Sequence, residues 1–470
     1  MTSLPPGHIS RDAADDSQTA KLTHKWQLPL FVVFLMLVWS VLFSATYTQP
    51  FFWDDLHFIR SYSHSELLST FHGPNDPDGI ETEALRPIAT LLFHLQGSLF
   101  GENMVLQRGF MATLMGGLLW VVGLLCREVG LSFRHVIIVL VLFASSRVFA
   151  SLVLWITLGS VILAYIFMVL TALFYLRWLK RGSGYLLALM FGFAALAVFT
   201  REEAYTLPAA LLLMWWLSSP HRKDYRRPIA AAMGVAAIVA VQYFLRTVFV
   251  PDAPQLTVRS LFWITTPFKS AWVPGGITAV GFVDNLLKFF WLSFLCSLAV
   301  LFIRFSDTQR LEKVLGICVL GLIFCTPAMV VARAFGIALP SLAFFTAISI
   351  AVVDLQRGFL SGRYGQGYWR PAVLCVCFIG LALGVAAGVR RSTYVAESLN
   401  ENALGVVVRD GFLLFDAFAK PPTIPESRRQ AMLAHLNALG IHSRDDVIRL
   451  SERENLESPM FAEKYAYQSF

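Results

Sequence analysis

Long blocks of uninterrupted apolar residues alternate with short polar connections along most of the chain. An α-helix rises 1.5 Å per residue, so about 20 apolar residues carry it across the hydrocarbon core of a bilayer. About eleven stretches approach that length. They are Leu28–Thr46, Val105–Cys126, His135–Ser146, Leu158–Leu176, Tyr185–Thr200, Ala204–Ser218, Ile229–Leu245, Phe289–Ile303, Val314–Ala332, Ala334–Val353 and Ala372–Val389. The run from Val148 to Leu176 exceeds one straight span, and its first part, "VFASLVLWITLG", reads as a helix lying near the membrane interface. Most connections are tight. Substantial polar segments occur at Tyr47–Met104, at Val250–Lys288 and after Val389, and no internal repeat is visible.

The connections also set an orientation. With the N-terminus inside, the inner segments are "CREVGLSFRH", "RWLKRGSG", "PHRKDYRRP", "RFSDTQRLEK" and "RGFLSGRYGQGYWR". With the N-terminal tail they hold roughly eighteen basic residues against about ten outside, the usual sign of the asymmetry. Residues 1–27 are then a cytoplasmic tail and 28–389 a transmembrane region, with outer (periplasmic) loops at 47–104 and 250–288. Residues 390–470 form an outer helical appendage. Within it "PESRRQAMLAHLNALGI" carries Pro near its start and Gly near its end, and "SRDDVIRLSE" opens on a capping residue.

Composition agrees with this pattern. Of 470 residues, 56% are hydrophobic and 15% charged, where a soluble protein carries about a quarter charged. The chain is therefore expected to be an all-α, multi-pass integral membrane protein. Its net charge of +7 would suit nucleic acid in a soluble domain, but inner loops of membrane proteins collect Lys and Arg anyway. No nucleic-acid partner is expected. Six cysteines lie within or beside apolar stretches and read as small core residues rather than disulfides or metal ligands. The N-terminus is polar and the first apolar run is long, so no cleavable signal peptide is expected.

Almost no ionisable residue falls near the middle of a span, which argues against a pump or an ion-coupled transporter. Charges gather at the outer ends instead. Arg60, Arg86, Arg147, Arg201, Arg246, Arg259 and Arg333 mark successive outer turns. Any one of them can be a snorkelling side chain. As a set they suggest an anion at that depth, because a guanidinium fork fits phosphate oxygens.

Just past the first span, "FFWDDL" sets Asp54 and Asp55 behind three aromatics. Aromatic residues anchor at the interface, so the two acids are expected at the membrane–water boundary, pointing outward. Adjacent carboxylates repel, which tends to raise one pKa. Such a group can take a proton from a hydroxyl, or the pair can hold a divalent cation such as Mg or Mn; a solvated helix cap is the plain alternative. No cofactor is otherwise called for. The following "LHFIRSYSHSELLSTF" suggests a short interfacial helix. Then "HGPNDPDGIETEALRP" gathers Asp76, Asp78, Glu81 and Glu83 in a turn-rich loop that does not match calcium-loop spacing.

These elements resemble a family. The Asp pair beyond the first span, followed by "LRPIATLLFHLQGSLFGENMVLQRGF", resembles the membrane glycosyltransferases of the GT-C superfamily, in the protein mannosyltransferase and aminoarabinose transferase-like group. "SLVLWITLGSVILAYIFMVLTALFYLRW" resembles that group's Trp-containing interfacial segment and fourth span. "FAALAVFTREEAYTLPAALLL" resembles its Lys–Glu element, with Arg201 where Lys is common. The match covers roughly the first half of the chain.

The resemblance implies a GT-C-type bundle of about eleven spans, with interfacial helices in the first outer loops and a small helical C-terminal appendage. It implies transfer of a sugar from a polyprenyl-phosphate donor to an acceptor hydroxyl on a glycan, lipid or protein. The site would lie on the periplasmic face of a bacterial inner membrane. Asp55 or Asp54 would be the general base of a single inverting step. Arg201, Arg86 and Arg333 would stabilise the departing phosphate. Glu202 and Glu203 would orient Arg201 or contact sugar, unless they only start a helix. His57 and Glu83 stand as possible supporting groups, and Trp155 as a sugar-stacking residue or an interfacial anchor. An O-antigen polymerase or ligase, and a lipid-linked sugar flippase, remain competing readings.

Overall fold

The computed structural model describes residues 11–51, 55–75, 84–218, 225–251, 282–330, 337–361, 369–415 and 426–453, and every regular element among them is helical. Helix α1 (Arg11–Leu42) sets the pattern for the rest. Leu30, Phe34, Leu37 and Val41 are exposed, whereas Leu28, Val32, Trp39 and Phe43 are buried. Each set recurs at helical spacing, so one stripe meets protein and the opposite stripe presents only apolar carbon outward. A soluble helix would carry charge there. That stripe is a lipid-facing surface.

After α1 come two short helices, α2 (Asp55–Phe58) and α3 (His64–Ser69), then α4 (Pro87–Phe100) and α5 (Met104–Glu128). The interfacial helix expected after the Asp pair is thus two pieces. Helix α3 starts at a reciprocal cap, with the Ser63 hydroxyl taking the Glu66 N–H while Glu66 takes the Ser63 N–H. Gly97 in α4 allows the segment behind α2 to approach closely: a Cβ there would lie 2.3 Å from the Arg60 carbonyl carbon.

Helix α6 (Phe133–Ser145) and α7 (Arg147–Leu154) meet at a 63° bend. Ser146 causes it. Its backbone is extended, and its hydroxyl donates to the Phe143 carbonyl while accepting the Phe149 N–H, so it caps both helices instead of continuing one. The bend orphans the Ser145 carbonyl, which the Ser392 hydroxyl satisfies at 3.0 Å. Val148, Phe149, Ala150, Leu152 and Val153 are all buried. The "VFASLVLWITLG" segment is therefore enclosed by the bundle, because the bend turns it back beneath its neighbours.

A short 3-10 turn, Ile156–Leu158, leads into α8 (Gly159–Arg181), followed by α9 (Gly184–Thr200), a 3-10 turn at Glu202–Thr206, α10 (Leu207–Ser218) and α11 (Arg226–Phe249). The remaining elements are α12 (Phe282–Phe305), α13 (Thr308–Val330), α14 (Ala338–Leu360), α15 (Trp369–Phe415), α16 (Glu426–Ala438) and α17 (Arg444–Arg453). Helix α14 is 89% buried over its apolar window and α8 78%, against 28% for α11. The first two are the central posts, and α11 lies against lipid.

Six described helices are long and apolar enough to cross a membrane, or seven if the bent α6–α7 pair is one span. The other expected spans coincide with helices that fall short of that length or composition among the described residues. The apolar part of α1 and α9 are shorter helices of 10–17 residues, and α10 has 12. Helix α13 is long, but Arg310, Glu312 and Lys313 occupy its first turns. The appendage is also joined differently. Helix α15 runs unbroken for 47 residues through the expected boundary at Val389, because propagation along a helix does not depend on whether its surface is apolar or charged. Beyond it Val408, Leu436, Ile441 and Val447 form a small separate core.

The contact of α15 with the α6–α7 bend is tight, since a Cβ on Gly388 would lie 2.7 Å from the Ser145 carbonyl oxygen. Ser392→Ala strands that oxygen and is expected to cost about 1–3 kcal/mol. Gly388→Val is expected to destabilise by a similar amount through overpacking. Thermal unfolding in detergent should show both, whereas Gly192→Ala, whose Cβ would meet nothing within 4 Å, should leave the melting temperature unchanged or raise it.

Candidate active site

Asp55 opens α2 and is completely buried. This corrects the expectation that it points outward at the membrane boundary. Its Oδ1 accepts the Thr157 N–H at 2.8 Å, across a separation of 102 residues. The first N–H groups of any helix lack intrahelical partners, and the helix dipole is positive at that end. Thr157 lies in the turn that starts α8, so a carboxylate fits there. Asp55 serves as a cap donated from a distant loop, and the chain folds inward to reach it.

Arg108, 2% exposed near the start of α5, secures the approach to α2. Its Nη1 donates to the Gln49 carbonyl at 2.6 Å and its Nη2 to the Pro50 carbonyl at 3.1 Å. The Phe51 ring stacks on His435 of α16, with centroids 4.9 Å apart and planes 21° from parallel. Both His435 ring nitrogens are buried without a hydrogen-bond partner among the described residues. Burial, with the nearby Arg108 cation adding to it, pushes the His435 pKa down to about 4. On the other side of α2, Phe58 meets Phe93 of α4 at 5.5 Å.

Two carboxylate–guanidinium pairs stand at the start of α4 and the end of α9. Arg86 is the residue preceding the first turn of α4, and its Nε and Nη2 bond Glu202 Oε2 at 2.9 and 2.8 Å. Arg201 bonds Glu203 through Nε and Nη2, each at 3.2 Å. Burial would raise the Glu202 pKa, but the Arg86 and Arg201 cations overcome it and hold the group below the usual carboxylate range. Tyr205 donates to Gln242 Oε1, and Gln242 Nε2 donates to the Leu85 carbonyl at 3.0 Å. The segment entering α4 is thus tied to α11 and to the Glu202–Thr206 turn at once.

Among the residues picked from sequence, the fold brings Asp55, Arg86, Arg201, Glu202 and Glu203 into connected elements around α4 and α8. The pairing differs from expectation in one respect: Glu202 holds Arg86 and Glu203 holds Arg201. Arg60, another of the outer arginines, bonds Glu66 at 3.0 Å. Trp155 ends α7, half-buried against the main core. Asp54, Glu83 and Arg333 lie outside the described residues, as does the side chain of His57. The described residues gather no group of three His, Cys, Asp or Glu suited to a metal ion. Sequence reasoning missed Thr157, Arg108, Gln242, Tyr205 and His435. For Thr157 the donor is backbone and leaves no sequence signal. Arg108 and Gln242 did offer one, as polar residues inside apolar runs.

No family model and no curated protein matches the sequence. Solved structures are similar over most of the chain. The oligosaccharyltransferase AglB of Archaeoglobus fulgidus, in complex with an inhibitory peptide and a dolichol-phosphate, aligns at a TM-score of 0.46 and 13% identity, covering 86% of this chain and 61% of that one. ArnT of Cupriavidus metallidurans, bound to undecaprenyl phosphate, aligns at 0.45 and 12%, covering 90% and 87%. This chain thus spans less than two thirds of the archaeal enzyme.

Because the folded pKa of His435 lies below the ordinary 6.5, the unfolded or undocked ring binds more protons between those values, and docking of α16 weakens as the pH falls through that window. Going from pH 7 to pH 5 should cost about 2 kcal/mol. The protection factors of α16 amides, which remove the intrinsic slowing of exchange at lower pH, are expected to fall accordingly, and His435→Phe, which keeps a ring against Phe51, should flatten their pH profile.

Proposed function

We propose that the chain is a GT-C-type membrane glycosyltransferase, moving a sugar from a polyprenyl-phosphate donor to an acceptor hydroxyl on the periplasmic face of a bacterial inner membrane. The observation that carries this reading is the burial of Asp55 against the N-terminal end of α8, with the Arg86–Glu202 pair at the start of α4, the helix whose Phe93 meets Phe58 of α2. Phe93, which meets Phe58 of α2, lies seven residues after Arg86, or roughly 10 Å along the helix. A carboxylate and a cationic fork on one rigid frame suit a reaction in which a proton leaves at one end while negative charge gathers at the other.

The Asp55 carboxylate takes the proton of the acceptor hydroxyl as its oxygen attacks the anomeric carbon. The bond from that carbon to the phosphate oxygen breaks, its electron pair leaves with the lipid phosphate, and the configuration inverts. A positioned base of this kind contributes ~10²–10⁴-fold. The Thr157 N–H fixes the carboxylate's orientation beforehand. Arg86 bonds Glu202 through Nε and Nη2, which leaves Nη1 clear of the pair to meet a phosphate oxygen; the preplaced charge costs no reorganisation when the leaving group forms. Glu202 thereby aims Arg86 rather than contacting sugar. The proposed steps run on side chains alone. Addition of a chelator to the assay tests whether the Asp pair also needs a divalent cation.

The assay is release of undecaprenyl phosphate from a panel of undecaprenyl-phosphate sugars by the purified chain in detergent. Asp55→Asn is expected to keep the bond from Thr157, and so the melting temperature, while lowering transfer by about 10²-fold or more. Asp55→Ala should lower both. Transfer by Asp55→Asn within threefold of the parent would contradict the assignment, and a transporter would give no transfer in any variant. Arg86→Gln is expected to reduce kcat by about 10–10²-fold, the loss of a charged hydrogen bond to the leaving group.

A further inference from the structure

Between α5, α8, α10, α13 and α14 lies a cavity of 590 Å³ whose charged mouth stands at the end of α8 away from Thr157. Thr157, which binds Asp55, precedes the first turn of α8, and Lys180 in its last turn lines the cavity. Those ends are roughly 32 Å apart at the helical rise, about the thickness of a bilayer core. The cavity is long as well as large. Leu339 and Arg357 of α14 both line it, a reach of roughly 27 Å. Met168, Ala172 and Leu211 are among its inner walls. The volume lies within the usual ~300–1,000 Å³ of small-molecule sites.

The mouth is charged. Lys180, Arg310, Lys313 and Arg357 line it with Glu128 and Asp354, a surplus of two cations. The carboxylates already have partners: Glu128 bonds Lys180 at 2.7 Å and Arg177 at 3.1 Å, and Asp354 lies 3.6 Å from Arg310. Arg357 donates to the Ser132 hydroxyl at 3.0 Å. Neither Arg357 nor Lys313 has an ion pair among the described residues, and both side chains are exposed. Water is poorly matched to the walls, which offer few polar partners. A sugar is poorly matched for the same reason, and a neutral lipid would leave the surplus charge unanswered.

We propose that this cavity binds an anionic lipid, its apolar tail along α8 and α14 and its phosphate at Lys313 and Arg357. The phosphate end of this site shares no residue with the proposed transfer site, so either assignment can fail without the other. A phosphodiester headgroup and a polyprenyl monophosphate share the chemistry the mouth selects for, and the assay separates them.

The test is lipid retention by the full chain, delipidated in detergent and measured by native mass spectrometry. The probes are phosphatidylglycerol, phosphatidylcholine and undecaprenyl phosphate. Retention of an anionic probe at least about tenfold above phosphatidylcholine is expected. The Lys313→Glu/Arg357→Gln double variant, changed at two exposed positions, should reduce that retention about tenfold, whereas Arg86→Gln at the far end should not. Ala172→Phe, which fills the slot, should displace the tail without altering the charges. Undecaprenyl phosphate displacing phosphatidylglycerol would identify the carrier lipid as the occupant, and the reverse a membrane phospholipid. Equal retention of neutral and anionic probes, or anionic retention untouched by the double variant, overturns the proposal.

Discussion

The hydrogen bond from the Thr157 N–H to the Asp55 carboxylate joins two parts of the chain that the sequence keeps far apart. Three groups hold its geometry. The Ser146 hydroxyl bends α6 into α7 and so delivers the start of α8 to the middle of the bundle. Arg108 grips the carbonyls of Gln49 and Pro50 and so fixes the chain entering α2. Phe51 stacks on His435 and closes that turn from the side of the appendage. A buried carboxylate is costly unless bonded, so each support bears on whether Asp55 can remain where it is. The C-terminal helices thereby become part of the same construction.

The two ends of the bundle differ in kind. Around α4 and the Glu202–Thr206 turn, Arg86 and Arg201 are each held by a glutamate, and backbone carbonyls are tied down by Gln242 and Arg108. Such a site is rigid before any ligand arrives, which is what stabilisation of a developing charge requires. At the other end the helices part around an apolar slot, and its cations outnumber its anions. The first arrangement suits a reaction and the second suits retention of a lipid. The central posts α8 and α14 line the slot over much of their length, and α8 also carries at its start the turn that binds Asp55.

Much of the fold was legible because lipid-facing and buried stripes are both apolar, which makes blocks such as Leu28–Thr46 plain in the sequence. The same uniformity hid the helix breaks. Nothing in "FASSRVFASLVLWITLG" marks Ser146 as a double cap rather than another small residue within a span. Span boundaries blurred for a related reason: Ala204–Ser218 reads as one apolar stretch, yet its first residues form a 3-10 turn and only 12 are α-helical. For the site, the sequence offered side chains and no partners. It singled out Asp55, Arg86, Arg201, Glu202 and Glu203, but the carboxylate's partner is a backbone N–H, and which glutamate holds which arginine depends on how α4 meets α9. Aromatics before the acids pointed to an exposed boundary. The fold instead draws Asp55 inward, since an unsatisfied helix N-terminus is a better partner than water at that point.

The most direct measurement is an electron cryomicroscopy structure of the chain in lipid nanodiscs with an undecaprenyl-phosphate sugar bound. The account predicts the donor's phosphate about 3 Å from the Arg86 guanidinium, with the anomeric carbon between that phosphate and Asp55, and Asp55 still accepting the Thr157 N–H. Donor density found only at the Lys313 and Arg357 mouth, or a sugar bound out of reach of Asp55, would contradict it.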